Sequence, residues 1–422
     1  MGSLAVTWSF PSLRPARLAA VACCVALGAH AAAAAGDVRV LFSFEEDDDG
    51  GYADTDLVRD AAGNLYGMAV QGGAFHGGTV FQLAPTGNGW ALNVLHEFTG
   101  GPDGGQPYGG VTLDAQGNVY GTAVIGGSGG PCNEDGCGVV FKLTHTGGSW
   151  TQTVIHDFTG GSDGFGPGGA VVFDSHGRIL GMTPTGGDFN SGVIFQLTPQ
   201  PDGSWTEQIV HTFTGGDDGG SGSAGRLLVD PGGSVFGVTT VGGTSGAGTA
   251  FELVPGPGDT WDFQTLHSFA GQPGAGFPYG GLVRDAAGAL YGTTYYDGAV
   301  DLGCIYRLQL VNGTWTETVL HSFKGGRDGA GSIAGLVFGS NGELYGTTAE
   351  GGASCSCGTI FKLEPQPGGA WKESILHRFT GVADGDGAYA YAGLLSDGAG
   401  SFFGATVRGG ADDDGALYRF TP

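Results

Sequence analysis

An apolar segment ending in phenylalanine recurs at Phe44, Phe98, Phe158, Phe213, Phe269, Phe323 and Phe379, at intervals of 54, 60, 55, 56, 54 and 56 residues. A fixed period of this length means one supersecondary unit used repeatedly, each burying its apolar face against the next. Seven such units fill the chain from Gly36 to Pro422. Inside a unit the apolar runs are short and separated by turn residues, which indicates strands. In the second unit they are residues 109–114, a run holding Tyr120 and Gly121, residues 138–143 and residues 150–158. Gly supplies positive φ between the runs, and Asp bonds nearby backbone amides. Glycine accounts for 89 of the 422 residues without a three-residue period, so collagen is excluded. The fixed glycine positions and 40% hydrophobic content oppose disorder.

Four strands per unit, seven times over, is the pattern of an all-β, seven-bladed β-propeller. The chain ends support closure. Residues 38–44 read as a fourth strand, whereas Gly415–Phe420 reads as a third. The last blade therefore lacks an outer strand, and the N-terminal segment can supply it. A linear solenoid of seven units is the alternative, and it would leave both ends uncapped.

Asn64-Leu65-Tyr66-Gly67, Gly72-Gly73 and Gly78-Thr79-Val80-Phe81 recur as Leu344-Tyr345-Gly346, Gly351-Gly352 and Gly358-Thr359-Ile360-Phe361. These elements resemble the GloVer tandem repeat of exported bacterial proteins, over essentially all of residues 36–422. The resemblance implies architecture and export and carries no activity with it. Members often end in a surface-sorting tail, which the final Phe-Thr-Pro does not resemble.

Residues 1–35 have the order of a secretory signal peptide: Arg14 and Arg17, an apolar run from Leu18 to Leu27, then small residues to Ala35. The expected division is a signal peptide over 1–35 and one propeller domain over 36–422, secreted or periplasmic. No later apolar run is long enough to span a bilayer, so no membrane insertion is expected after cleavage. The formal net charge of −25 disfavours nucleic acid and anionic lipid as partners. In an oxidising compartment Cys132 and Cys137, which bracket one glycine-rich loop, are expected to form a local disulfide. Cys355 and Cys357 occupy the matching loop of another unit, where a bridge would be tight. Cys304 stands where other units hold Thr, Val or Ala, and reads as a small buried hydrophobe.

Trp90, Trp150, Trp205, Trp261, Trp315 and Trp371 each precede by six residues His96, His156, His211, His267, His321 and His377. An even spacing is expected to put Trp, His and the following Phe on one strand face. On outermost strands these histidines cannot converge on one another, so they read as core imidazoles bonded within their own blades, with Trp and Phe packing between blades. One Asp series (Asp60, Asp114, Asp174, Asp230, Asp285 and Asp397) reads as turn formers. A second (Asp49, Asp103, Asp163, Asp218, Asp328 and Asp384) lies in loops sharing a face with the Gly-Gly loops and is read the same way. Glu45, Asp47, Asp49 and Asp56 approach a calcium-loop spacing without its flanking helices, giving Ca²⁺ as a possible ligand there.

Inner-strand tops are mostly small, as seven strands crowding an axis require. Asp56 and Arg226 stand out at equivalent positions, and Tyr108, Tyr279, Tyr391 and Asp54 lie one or two residues nearer the loops. Only inner-strand positions converge on a shared pocket. Tyrosines with scattered carboxylate and guanidinium groups suit a sugar-like neutral or zwitterionic ligand; the plain alternative is that they plug the channel. No Gly-x-Ser-x-Gly elbow, HExxH, P-loop or dinucleotide fingerprint appears after residue 35. The expected function is therefore a non-enzymatic, monomeric binding propeller for glycan or an extracellular protein. The alternatives are a carbohydrate-active lyase or hydrolase acting at the propeller mouth, and an adhesive surface protein without a small ligand.

Overall fold

The alternating runs of each unit form antiparallel sheets radiating from a common axis. The computed structural model describes residues 36–45, 49–128, 132, 135–222 and 225–422, so the candidate signal peptide lies outside the described residues. In the first blade the strands are Val58–Arg59, Leu65–Ala69, Thr79–Thr86 and Gly89–Glu97, hydrogen-bonded in that order from the axis outward. The same order repeats around a seven-bladed propeller. Second strands such as Leu65–Ala69 and Val119–Ala123 are buried at every residue, and Val235–Val241 at all but its last, because neighbouring blades cover both faces. One blade gains a fifth strand, Gly220–Gly222, paired with Val235–Val241.

The last blade is completed from the other end of the chain, as the sequence predicts. Asp37–Ser43 pairs antiparallel with Ala416–Thr421, outside Phe402–Thr406 and Leu395–Ser396. A ring of backbone bonds ties each blade's loop to the next blade's inner strand: Gln106 N–H to Gly77 O (2.8 Å), Phe277 N–H to Ala247 O (2.7 Å) and Tyr389 N–H to Cys357 O (2.8 Å). The equivalent bond from Tyr52 N–H to Asp414 O, at 2.9 Å, closes the ring across the chain ends.

The outer strands differ from expectation in one respect. Between third and fourth strands the register slips by one residue: Phe81 faces Val94, but Val80 faces His96, leaving Leu95 as a bulge. The same slip occurs beside Phe141, Phe195, Phe251, Tyr306 and Phe361. A bulge inserts one residue and reverses the alternation beyond it. Trp and His are therefore not on one face. Trp90 packs on Phe403 of the preceding blade (5.9 Å between centroids), whereas Phe98 packs on Phe141 of the following blade (5.2 Å). Both rings do pack between blades, and one strand serves two interfaces.

The inner strand is also split. Gly109–Gly110 pairs in parallel with Thr55–Asp56 of the previous unit, while Thr112–Leu113 pairs within its own blade. Gly110, at φ +126°, turns the chain between these two tasks. The Asp turn formers behave as expected: Asp114 accepts the amides of Gln116 and Asn118 at 2.9 Å and the Tyr120 hydroxyl at 3.1 Å. Cys132–Cys137 and Cys355–Cys357 are bridged, and Cys304 is a buried free thiol pushed up to about 12 by burial. No helix among the described residues is long and apolar enough to cross a membrane.

Phe44 is fully buried and meets Phe81 at 5.3 Å, repeating across the chain ends the contact made by Phe98 with Phe141. Phe44→Ala is therefore expected to cost about 3–5 kcal/mol, as much as Phe213→Ala in mid-chain. Denaturant unfolding of both variants measures this; a cost at Phe44 below about 1 kcal/mol would mean that the N-terminal strand is peripheral to the ring.

Candidate functional site

Seven inner strands meet so closely at the axis that most positions there admit no side chain. A Cβ on Gly109 would lie 2.5 Å from Gly168 O, and one on Gly280 would lie 2.6 Å from Ala334 O. Thr side chains of the second strands reinforce this contact by donating to the next blade's inner carbonyls, Thr122 to Gly169 O (3.0 Å) and Thr293 to Ala334 O (2.8 Å). Larger side chains fit where the backbones diverge on either side of this collar. On the mouth side a pocket of about 670 Å³, mouth included, has Asp54, Asp56, Tyr108, Tyr279 and Tyr391 in its wall.

Five of the six residues singled out in the sequence thus line one cavity, drawn from blades one, two, five and seven. Arg226 does not. It lines a second, open space further along the axis, about 1040 Å³ with the adjoining solvent included, and its guanidinium donates to Thr112 Oγ1 at 3.0 Å. Asp56 borders both spaces and accepts the Gly393 amide at 2.8 Å. It joins the first blade to the last at the waist of the channel.

The electrostatics set the two carboxyls apart. Burial, with the neighbouring Asp56 charge added, pushes Asp54 up to about 7. Burial also raises Asp56, but the Gly393 amide and the Arg226 charge pull against it. Tyr108 and Tyr391 are pushed up to about 12 by burial and by the Asp54 charge. The tyrosines are thus neutral hydroxyl-bearing rings at physiological pH, beside one carboxyl that exchanges its proton near neutrality.

Tyr391 also lines a broader open groove on the loop face, about 1300 Å³ with the adjoining solvent included, with Tyr295, Glu350, Tyr389 and Arg408. Tyr295 donates to Glu350 at 2.8 Å and stands 6.3 Å from the Tyr279 ring, extending the aromatic collar outward. Tyr295 and Glu350, which lie after second strands, were not among the expected residues; the signal in the chain was two adjacent tyrosines at 295 and 296, where no other unit holds an aromatic residue.

On the loop face, Gly127 N–H is bonded to Gly101 O (3.0 Å) and Gly187 N–H to Gly161 O (2.9 Å). Asp103 caps its turn by accepting the Thr99 amide at 3.0 Å, and Asp49 accepts the Glu45 amide at 2.8 Å in the same way. In the last such loop this place is taken by Asp386 rather than Asp384, because the loop is longer. Of the calcium-loop residues, Asp47 lies outside the described residues, and Asp56 lies in the axial wall. The histidines bond within their own blades at His96–Asp103 (3.2 Å), His211–Asp218 (3.1 Å), His321–Asp328 (3.2 Å) and His377–Asp386 (2.7 Å). His156 and His267 instead face Glu207 and Glu317 of the following blade, each at 3.2 Å.

A model of the Gloeobacter/Verrucomicrobia repeat matches residues 30–227 and 223–422. No curated protein matches the chain. Among solved structures, the chain is similar to the extracellular domain of a hybrid two-component system from B. thetaiotaomicron. That match has 8% identity, covers 91% of this chain and 39% of that one, and has a TM-score of 0.56. The chain thus spans well under half of that structure's length, and at this identity the likeness shows the fold alone. A protein of unknown function from Dyadobacter fermentans matches at 15% identity over 81% of this chain and 99% of its own, TM-score 0.41. Trypanosoma rangeli sialidase matches at 11% identity over 80% and 57%, TM-score 0.42. Neither of these two carries an argument about this chain.

Asp54 yields a pH prediction. Folded, it holds its proton to about pH 7; unfolded, it ionises near the ordinary value of 3.8. Between those limits the folded chain binds more protons, so stability falls as pH rises through the window. Asp54→Asn removes this penalty. The variant is expected to be about 2–4 kcal/mol more stable than the parent near pH 8 and equal to it below about pH 4. Denaturant unfolding at the two pH values checks this, and equal stabilities near pH 8 would show that Asp54 ionises freely.

Proposed function

The chain belongs to the Gloeobacter/Verrucomicrobia repeat family, and from its axial pocket we propose that it is an exported, non-enzymatic propeller that binds the end of a glycan chain. The observation carrying this reading is the convergence of Tyr108, Tyr279 and Tyr391 with Asp54 and Asp56 in one cavity. Aromatic faces stack on sugar C–H surfaces, while carboxyls and tyrosine hydroxyls pair with sugar hydroxyls. The groove continuing past Tyr391 gives a longer chain room to leave the pocket. Export is supported by the signal-like residues 1–35 and by two disulfides, which persist in oxidising compartments.

A second reading follows from one specific feature. A carboxyl poised near neutrality beside a second carboxyl is the arrangement of an acid–base pair, which favours a carbohydrate-active enzyme at the same mouth. The two readings separate on turnover.

The test is a binding screen of the folded protein against glycans and cell-wall fragments. Saturable binding is expected, weakened at least about tenfold in the Tyr108→Ala/Tyr279→Ala double variant, which keeps its unfolding midpoint near that of the parent. Consumption of a bound glycan, abolished by Asp54→Asn, would establish the enzyme instead. Absence of glycan binding, with a protein captured on the loop face, would overturn both.

A further inference from the structure

The histidine row carries chemistry that the axial pocket does not use. Five of these histidines, His96 to His321, are approached by the following blade's outer strand two residues after that strand's tryptophan, and the residue there varies. Glu207 faces His156, Phe263 stacks on His211, Glu317 faces His267, and Glu373 approaches His321. At His96 the position is Gln152, whose amide donates to Asp103 O at 2.8 Å. The loop after the histidine supplies the other carboxylate, except after His267, where Pro273 replaces it. Imidazole and two carboxylates therefore meet at two junctions, His156/Asp163/Glu207 and His321/Asp328/Glu373. In each, the three donor atoms lie within 4.8 Å of one another.

Incomplete bonding sets these junctions apart from the rest of the histidine row. His156 Nε2 and Glu207 Oε1 are buried 3.2 Å apart, yet neither atom makes a hydrogen bond. Glu373 Oε1 is likewise buried without a partner. An unsatisfied buried polar atom costs about 1–3 kcal/mol. His96 and His211, each with a single carboxylate, are bonded to it. The orphaned atoms thus occur where a second carboxylate has been added.

The three donors of each junction are close enough to share one ion. Two donors, each ~2.1 Å from a tetrahedral zinc-class ion, stand ~3.4 Å apart; His156 and Glu207 stand at 3.2 Å, as do His321 and Asp328. Asp163 is already oriented by the Thr159 amide and hydroxyl, both at 2.7 Å, and Asp328 by the Lys324 amide at 2.8 Å. Such outer bonds fix a ligand before the ion arrives. We propose that these two blade junctions bind a first-row divalent transition ion of the zinc class, through His156, Asp163 and Glu207 in one and His321, Asp328 and Glu373 in the other. An imidazole nitrogen with two carboxylates suits such an ion better than calcium, which takes oxygen donors, and two carboxylates neutralise its charge. Histidine and aspartate come from one blade and glutamate from the next, so each ion staples two blades together.

The test uses the full chain without an affinity tag, freed of metal by chelator and titrated with Zn²⁺ by calorimetry and with Co²⁺ by its visible absorption. Glu207→Gln and Glu373→Gln keep side-chain volume, and each is expected to lose one equivalent of tightly bound ion, the double variant losing two. Asp103→Asn, at a junction lacking the second carboxylate, is expected to lose none. Chelator should lower the thermal unfolding midpoint of the parent and leave that of the double variant unchanged. Equal uptake by the parent and the double variant, or no saturable uptake by the parent at about 100 µM ion, would overturn the proposal.

Discussion

The close approach of seven backbones around one axis governs the rest of this molecule. Where Gly109 meets Gly168 and Gly280 meets Ala334, no side chain fits, and glycine is required by space alone. Those contacts allow the Thr122 and Thr293 hydroxyls to reach across to the neighbouring blade. They also confine large side chains to the level where the strands diverge. The axial pocket is the result: a small set of tyrosines and aspartates gathered above a glycine collar, on the mouth side of the closest approach. The low dielectric of that position holds the Asp54 proton to near neutrality.

A second constraint acts at the periphery. Each outer strand must face two neighbours, and a plain alternating strand would give its Trp and Phe to the same one. The single-residue bulge before each histidine reverses the alternation, so Trp90 turns back to Phe403 and Phe98 turns forward to Phe141. The bulge also turns the histidine toward the following blade, where Glu207 and Glu373 meet it. Interblade packing and the paired His/Asp/Glu junctions share this origin.

Much of this was legible in the chain. The phenylalanine period gave seven units, the mismatched ends gave closure, and the repeat register identified Tyr108, Tyr279, Tyr391 and Asp54 as inner-strand positions. The aspartates before and between blades were readable as turn formers because their acceptor role is local. Other features were not. A bulge arises from ladder geometry and leaves no residue signature, so the even Trp–His spacing was misleading. Asp386 replaces Asp384 because loop length, rather than motif, sets which carboxylate reaches His377. The Glu207 and Glu373 positions carried a signal, variation two residues after each tryptophan, that has meaning only once the facing histidine is known.

The sequence by itself determined the number of blades, the order of their strands and the way the ring closes, since these follow from periodicity and from which strand is missing at each end. Tertiary structure alone decided which side chains share a space. Tyr108, Tyr279 and Tyr391 lie far apart in the chain and meet because the ring brings their strands to one axis, while Arg226, aligned with Asp56 in the repeat, lines only the further chamber. The physical reason is that hydrophobic period and turn chemistry act within a unit, whereas pockets, proton affinities and ligand sets form between units, at distances fixed only when all seven close.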